Sequence, residues 1–194
     1  MKKSNLLEKI KKDILSLNSS PLYAYRIESG SFPVIGEGNH DAKLMFIGEA
    51  PGAREAKTGR PFCGTAGKLL DWCLDEIGFN RSDAYITNIV KDRPPQNRDP
   101  SPEEIEVYVP FLDKQIEIIK PQIIAPLGRF SSIYIMKKFG LVREILPITQ
   151  MLGKVFSVDK FKIIPLLHPA AAIHNPHKKD ILLQGFKVLQ KEVL

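Results

Sequence analysis

The sequence predicts an α/β fold, a three-layer α/β/α sandwich in which helices cover both faces of a four-stranded parallel sheet. Four apolar segments have the length of buried strands, and segments with the apolar spacing of helices lie between them. Strands that alternate with helices indicate right-handed crossover connections and therefore a parallel sheet. The predicted strands are residues 43–47, 84–90, 122–127 and 161–167.

The chain is predicted to begin with a helix. Apolar residues recur at helical spacing between Leu6 and Leu17, and lysines occupy positions between them. We therefore expect residues 1–17 to form a helix that lies on the domain with its lysines in water. Residues 18–33 are rich in serine, proline and aromatic residues, and we expect an irregular connector there.

Further helical patterns follow the predicted strands. They span residues 67–77, 102–119, 129–138 and 178–194. Residues 144–158 contain Pro147 and Gly153 and fit neither pattern, so we expect a hairpin or a mobile loop. The 194 residues, 43% of them hydrophobic, suffice for one sizeable core and are too few for two, which indicates a single domain over residues 1–194.

Composition restricts the class of protein. No segment approaches the roughly 20 apolar residues that a transmembrane helix needs, and no targeting segment is evident. The 28 Lys and Arg exceed the 22 Asp and Glu by six, a charge that suits a polyanionic partner but is also common among proteins that bind no nucleic acid. We expect a cytoplasmic monomer without membrane contact.

The longest predicted loop runs from Gly48 to Leu70 and reads GEAPGAREAKTGRPFCGTAGKLL. It connects a predicted strand to a predicted helix, so it lies at the carboxyl edge of the sheet, where open α/β folds bind ligands. It contains two glutamates, Glu49 and Glu55, one aromatic residue and several glycines. This loop is the candidate functional site.

Histidines and cysteines do not indicate a metal site. His168, His174 and His177 are separated by six and three residues, which fits no zinc pattern, and no nearby acidic or thiol ligand completes a set. The two cysteines are too few for a disulfide scaffold or an all-cysteine site. The GEAPG segment also lacks the glycine patterns of phosphate-binding loops. We therefore predict no metal ion.

Three blocks of sequence resemble one protein family. They are GEAPG with GRPF and TAGKLL between residues 48 and 70, TNIVKDRPPQNRDPSPEE at residues 87–104, and LLHPAAAI at residues 166–173. In this order they resemble the type 4 uracil-DNA glycosylases of bacteria and archaea, nearly collinearly from residue 34 to residue 176. The resemblance implies a DNA repair enzyme that flips uracil out of DNA and hydrolyses its N-glycosidic bond.

The resemblance implies roles for five residues. Glu49 would stabilise the cationic sugar and orient the attacking water, and His168 would donate to uracil O2 as negative charge develops. Phe62 would stack on the flipped base, and the amide of Asn88 would bind O4 and N3–H. Glu55 would lie beside C5 and obstruct the methyl group of thymine. No lysine is placed as a nucleophile, so no strand-cleaving lyase step is expected.

The same resemblance implies further contacts with substrate and DNA. Gly48 and Ala50, which flank the first glutamate, would contact the substrate. Contacts with the DNA backbone are expected from Lys91, Arg93 and Arg98 in a basic loop, and from Pro169 and Ala170 after the histidine.

The chain departs from the family at the four cysteines that hold an iron–sulfur cluster in typical type 4 enzymes. Residues 20–27, which correspond to the first two, contain no cysteine, and the other two positions are Asp92 and Tyr108. We therefore expect no cluster and no other cofactor. We expect packing by Tyr23, Tyr25 and Tyr108 to offset the loss of the cluster.

Two alternatives stay open at this point. The enzyme could act on another deaminated base, such as hypoxanthine, or the chain could be a non-catalytic relative that only binds DNA. Activity on defined oligonucleotides distinguishes the first alternative, and binding of uracil-containing duplex without base release indicates the second.

Overall fold

The computed structural model describes residues 2–159 and 161–193. Its strands are β1 (Glu37–Gly38), β2 (Leu44–Gly48), β3 (Tyr85–Asn88), β4 (Ile123–Pro126), β5 (Phe156–Val158) and β6 (Phe161–Ile163). They form one sheet in the order β1-β3-β2-β4-β6-β5. The four central strands are parallel, which confirms the predicted sheet, whereas β1 and β5 pair antiparallel at the two edges. The prediction of four strands is therefore corrected to six.

The α-helices of the described residues are α1 (Lys3–Leu15), α2 (Tyr23–Glu28), α3 (Ala53–Thr58), α4 (Thr65–Glu76), α5 (Pro102–Ile119), α6 (Arg129–Lys138), α7 (Ile148–Met151) and α8 (Pro176–Val193). The long helices lie where they were predicted, although residues 1 and 194 fall outside the described chain. The short helices α2, α3 and α7 lie in segments that were predicted to be irregular. None of the helices so described is long and apolar enough to cross a membrane.

Side chains of β2 alternate between the two faces of the sheet. Leu44 and Phe46 belong to a buried cluster with α4 and α8, whereas Met45 and Ile47 belong to a second cluster with α1, α5 and α6. All four side chains are fully buried, and the burial of each contributes about 1.5–3 kcal/mol. Helices thus cover both faces, which confirms the three-layer sandwich.

Residues 144–158, where a hairpin or a mobile loop was expected, contain helix α7 and one strand, β5. β5 pairs antiparallel with β6, which lies in the predicted fourth strand, so the hairpin that forms extends beyond the predicted segment. Helix α7 precedes the hairpin and buries Met151 against the domain.

Helix α5 begins with a capping box. The Ser101 hydroxyl accepts from the N–H of Glu104 at 3.2 Å, and the Glu104 carboxylate accepts from the N–H of Ser101 at 2.9 Å. The same carboxylate accepts two hydrogen bonds from the guanidinium of Arg98, at 2.5 and 2.9 Å. The start of α5 therefore holds the end of the loop that follows β3.

Four polar side chains, Ser20, Arg26, Asp92 and Tyr108, form a buried polar cluster between the end of α1 and the loop after β3. Arg26 Nη1 lies 3.1 Å from Asp92 Oδ2 and also donates to the carbonyl of Ile14 at 3.1 Å. Tyr108 Oη donates to Asp92 Oδ2 and lies 2.7 Å from Ser20 Oγ. This cluster ties α1, α2 and α5 to the first residues of the loop.

The expected packing by three tyrosines is only partly correct. Tyr108 hydrogen-bonds within the buried polar cluster, and the Tyr23 ring centroid lies 5.0 Å from the guanidinium carbon of Arg26. Tyr25 takes no part in these contacts among the described residues. An ion pair, which the sequence pattern did not reveal, provides the main connection.

We predict that Asp92→Asn destabilises the fold by about 3–5 kcal/mol, because it leaves the Arg26 guanidinium buried without a counter-charge. The measurement is the free energy of unfolding from urea titrations at pH 7. Asp41→Asn is the control, since Asp41 pairs with Lys3 at the surface and its loss is expected to change little. Equal effects of the two substitutions would contradict this account of the cluster.

Candidate active site

A pocket of about 300 Å³ opens at the carboxyl edge of the sheet. It lies where β2 and β3 end and where the chain leaves the sheet after β6. Because the carboxyl ends of parallel strands meet at one edge, residues far apart in sequence converge there. The pocket brings together all five side chains with predicted roles, namely Glu49, Glu55, Phe62, Asn88 and His168.

Glu49 follows the last residue of β2 and lines the pocket. The pKa of its carboxyl is raised to about 7, mainly by burial and also by the negative charge of Asp99, whereas the positive charge of Arg129 opposes the shift. Asp99 and Arg129 are exposed and lie 3.5 Å apart, between Oδ2 and Nη2. Glu49 is therefore poised to exchange a proton near neutral pH.

His168 lies directly before a short 3₁₀ helix, Pro169–Ala172. Its Nδ1 accepts from the backbone N–H of Ala170 at 3.2 Å, so the neutral ring carries its hydrogen on Nε2. Burial lowers the pKa of His168 to about 4, although the charge of Glu55 acts in the opposite direction. At neutral pH the pocket therefore contains an uncharged histidine with one N–H donor.

Phe62 has an unusual backbone conformation. Its φ is +48°, a left-handed value that costs free energy in a non-glycine residue and often marks a functional site. The ring centroid lies 5.7 Å from that of His168, with the planes inclined by 36°. Gly67 allows this arrangement, because a Cβ at that position would lie 1.8 Å from the Phe62 carbonyl oxygen.

Glu55 has a structural contact that the sequence pattern did not predict. Its Oε1 accepts from the backbone N–H groups of Cys63 at 3.0 Å and Gly64 at 2.7 Å. The carboxylate therefore fixes the segment after Phe62 and the start of α4, while it also lines the pocket. A glutamate eight residues before a glycine-rich helix start carries no sequence signal for such a bond.

Asn88 ends β3, and its side chain is 1% exposed. Its Oδ1 is the buried side-chain atom that lacks a hydrogen-bond partner in the described part of the chain. Gly48 provides the space for it, because a Cβ there would lie 2.3 Å from Asn88 Oδ1 and 2.7 Å from Phe62 Cζ. Gly48 thus admits two pocket side chains and is not itself part of the pocket lining, whereas Ala50 is.

The residues predicted to contact DNA differ in their placement. Arg98 and Ala170 line the pocket mouth, and the Arg98 side chain is 47% exposed despite its bond to Glu104. Arg93 is half-buried and donates from Nε to Asn97 Oδ1 at 2.7 Å. Pro169 is buried at the start of its 3₁₀ helix. Direct contacts with the DNA backbone by these residues stay predictions.

The phosphate contact predicted for Lys91 is wrong. Its side chain is completely buried, and Nζ donates to protein oxygens on β3 and α5. The composition of this loop, rich in prolines and arginines, predicted an exposed lysine. The structure shows instead that the side chain turns toward the interior. The sequence pattern also missed Pro94 and Asn97, which line the pocket from the same loop.

The donor set does not fit a cluster held by four cysteines. The sequence has two cysteines, of which Cys63 is half-buried in the loop after α3 and Cys73 is buried in α4. Burial raises the pKa of the Cys73 thiol to about 12, which disfavours the thiolate that metals bind. Within the described ranges no three His, Cys, Asp or Glu side chains form a group that could hold a metal ion.

Comparison with known proteins identifies the family. The sequence model of the Uracil DNA glycosylase superfamily matches residues 35–189, which include all five pocket side chains. The chain belongs to this superfamily. Among its relatives, the type-4 uracil-DNA glycosylase of Sulfurisphaera tokodaii is 46% identical over 191 residues, which cover 95% of this chain and 84% of the relative.

Other members of the superfamily are also similar. The type-4 uracil-DNA glycosylase of Archaeoglobus fulgidus is 41% identical over 185 residues, covering 93% of this chain and 90% of the relative. The type-5 uracil-DNA glycosylase of Thermus thermophilus is 30% identical over 130 residues, covering 59% of each chain. The predicted resemblance to the type 4 branch is therefore confirmed.

We predict that the Glu49 carboxyl titrates near pH 7 in the free protein. Asp99→Asn is expected to lower the midpoint and Arg129→Met to raise it, because the two charges act on the Glu49 pKa with opposite sign. The measurement is the pH dependence of the side-chain carboxyl ¹³C shift, assigned with Glu49→Gln. A midpoint at the ordinary value of 4.5 would contradict the prediction, as would shifts of the same sign in both variants.

Proposed function

We propose that this protein excises uracil from DNA by hydrolysing the N-glycosidic bond. The observation that carries the proposal is the unpartnered Oδ1 of Asn88, buried at the wall of the pocket. A buried oxygen without a donor costs about 1–3 kcal/mol, so a ligand that supplies an N–H is favoured there. The N3–H of uracil is such a donor, whereas N3 of cytosine has no hydrogen.

A base inside a duplex cannot reach this pocket, so the nucleotide must be flipped out of the stack. The pocket volume of about 300 Å³ has room for one pyrimidine ring. Phe62 supplies an apolar face for stacking, which binds any base, and Asn88 supplies the choice among bases. Glu55 forms the fixed wall on the C5 side, because its bonds to Cys63 and Gly64 prevent it from moving away from a methyl group.

Cleavage of the bond leaves positive charge on the sugar and negative charge on the departing base. In its ionised form Glu49 stabilises the cationic sugar and orients a water molecule toward the anomeric carbon. As the water oxygen bonds to that carbon, one of its protons passes to the Glu49 carboxylate. A pKa of about 7 suits this step, since the carboxyl gains and loses a proton readily near neutral pH.

His168 stabilises the leaving base. A hydrogen bond from Nε2 to uracil O2 strengthens as negative charge develops on the base, and the donor needs no reorganisation because Ala170 already fixes the ring. The ring stays neutral, since burial lowers its pKa to about 4. The base therefore leaves as an anion held by a hydrogen bond, without proton transfer from the histidine.

The enzyme acts on DNA. Its contacts with the DNA backbone, its domain organisation, its oligomeric state and its location are further parts of the proposal. Arg93 and Arg98 lie on the loop at the pocket mouth and suit phosphate contacts, and the segment at Pro169 and Ala170 suits close passage of the DNA backbone. We further propose that residues 1–194 act as one domain and that the protein is a cytoplasmic monomer.

We infer that the protein folds without an iron–sulfur cluster. Two cysteines cannot supply the four thiolates that such a cluster requires. Asp92 and Tyr108, which stand at two of the expected ligand positions, are joined instead within the buried polar cluster. Arg26 comes from the segment that corresponds to the other two ligands, so the buried polar cluster connects the same parts of the chain.

We predict that the purified protein releases uracil from a duplex with a single uracil and leaves the strand uncut. Glu49→Gln and His168→Ala are each expected to lower the single-turnover rate at least about tenfold, equivalent to roughly 1.4 kcal/mol of barrier, because each removes charge stabilisation at one end of the bond. Glu103→Gln, an exposed glutamate in the first turn of α5, is the matched control.

Duplexes with hypoxanthine and with a thymine–guanine mismatch are run in parallel. Faster release of hypoxanthine than of uracil would show that hypoxanthine is the preferred substrate. Tight binding of the uracil duplex without any base release would show that the protein is a DNA-binding relative without glycosylase activity.

We predict that protein purified without exposure to air, from cells grown with added iron, contains no stoichiometric iron and shows no visible absorption of a cluster. A relative that retains all four cysteines, prepared in the same way, is the control. A chelator is expected to leave uracil release unchanged. One cluster equivalent of iron per chain would refute the inference.

A further inference from the structure

Lys91 is buried completely at the end of β3. It lies three residues after Asn88, and its side chain turns back along the strand. Its Nζ donates to Thr87 Oγ1 at 2.7 Å, to the backbone carbonyl of Asn88 at 2.5 Å and to Gln115 Oε1 at 2.7 Å. The ammonium thus joins the end of β3 to α5.

The surrounding hydrogen bonds leave all three oxygens as acceptors. Gln115 Nε2 donates to the carbonyl of Ile35 at 2.8 Å and to Tyr85 Oη at 3.1 Å, so Oε1 faces Lys91. Thr87 Oγ1 donates its own hydrogen to the carbonyl of Ile35 at 2.7 Å. Burial holds the pKa of Lys91 well below its ordinary value. Three acceptors nevertheless match the three hydrogens of an ammonium, so the hydrogen-bond geometry favours the protonated side chain.

In the described part of the chain, no carboxylate forms an ion pair with this ammonium. Its sequence neighbour Asp92 pairs instead with Arg26. A buried charge without a counter-charge costs several kcal/mol, and a methionine would fill a similar volume without that cost. The directional hydrogen bonds of the ammonium therefore explain its presence better than packing does.

One of these hydrogen bonds fixes the backbone of Asn88, the residue proposed to recognise the base. The Asn88 side chain is confined beside Gly48, and its Oδ1 has no hydrogen bond of its own to fix it. The position of Oδ1 therefore follows the backbone of Asn88, whose carbonyl Lys91 holds. The backbone of Lys91 is anchored in turn, since its carbonyl accepts from the N–H of Val34 at 2.7 Å.

We propose that Lys91 is a positioning residue for uracil recognition, whose ammonium holds the backbone of Asn88 so that Oδ1 meets the N3–H of the flipped base. Lys91 itself touches no substrate. This proposal rests on the proposed excision of uracil and deepens it, because it assigns base selection to a pair of residues, Asn88 at the pocket and Lys91 beneath it.

A double-mutant cycle tests whether Lys91 acts through Asn88. Lys91→Met, Asn88→Ala and the double variant are compared with wild type by kcat/KM on a single-uracil duplex, at a temperature at which all four proteins are folded. Each single substitution is expected to lower kcat/KM at least about tenfold, and the double variant is expected to lie within about threefold of Asn88→Ala. A merely structural role of Lys91 does not produce this non-additivity.

Arg26→Met is the matched control, because it removes the other buried cation near the same loop without touching Asn88. The fold-reductions in kcat/KM caused by Arg26→Met and Asn88→Ala are expected to multiply in the double variant. If the fold-reductions of Lys91→Met and Asn88→Ala also multiply, the role of Lys91 is overturned, whereas uracil excision is not. Absence of uracil release by wild type, or full activity of Asn88→Ala, would overturn the proposed function and this inference together.

A second measurement covers the case in which Lys91→Met does not fold. A duplex with 2′-fluoro-2′-deoxyuridine resists cleavage and is bound to wild type and to Asn88→Ala, with the ¹⁵Nζ resonance of Lys91 as the probe. Binding is expected to shift this resonance in wild type and to leave it unchanged in Asn88→Ala. A resonance that binding does not shift in wild type would overturn the proposal.

Discussion

The close approach of Asn88 and Phe62 to Gly48 is the constraint on which the pocket depends. Any side chain at residue 48 would collide with both. The proposed function requires both near this point, so that a base meets an amide edge and an aromatic face together. The left-handed backbone of Phe62 and the contact of Gly67 with its carbonyl follow from the same requirement. Gly48 and Gly67 thus leave space for the larger side chains of the pocket, and the strands fix the distances between them.

Burial decides the direction of the pKa shift of Glu49 and of His168, and the neighbouring charges are smaller influences. Glu49 is partly desolvated near Asp99, so its pKa rises, whereas desolvation lowers that of His168. Arg26 and Asp92 share a buried environment and stabilise each other's charge. The pocket therefore contains a carboxyl with a pKa of about 7 beside a histidine with a pKa of about 4, which suits the separate roles proposed for the two groups.

The sequence pattern predicted the parallel core and the loop at its carboxyl edge, because buried strands and the turns at their ends depend on local composition. The selection of five side chains within that region came from the resemblance to the type 4 family. The sequence pattern missed short elements such as α2 and the edge strands, whose formation depends on tertiary contacts more than on periodicity. It also misplaced Lys91. The direction of this side chain depends on hydrogen bonds to Thr87 and Gln115, which only the folded structure brings together. The ion pair of Arg26 with Asp92 was hidden for the same reason.

The bond between Arg98 and Glu104 has a consequence for the thermodynamics of association with a polyanion. A basic side chain that neutralises a phosphate releases condensed counterions, about 0.9 per contact on duplex DNA, and this release makes affinity depend on salt. The Arg98 guanidinium is already paired with the Glu104 carboxylate, so the two side chains together carry no net charge. In the proposed phosphate contact this pair would neutralise the phosphate less than an unpaired arginine would, and fewer counterions would be released. The salt dependence of binding would then be weaker than a count of arginines at the pocket mouth implies.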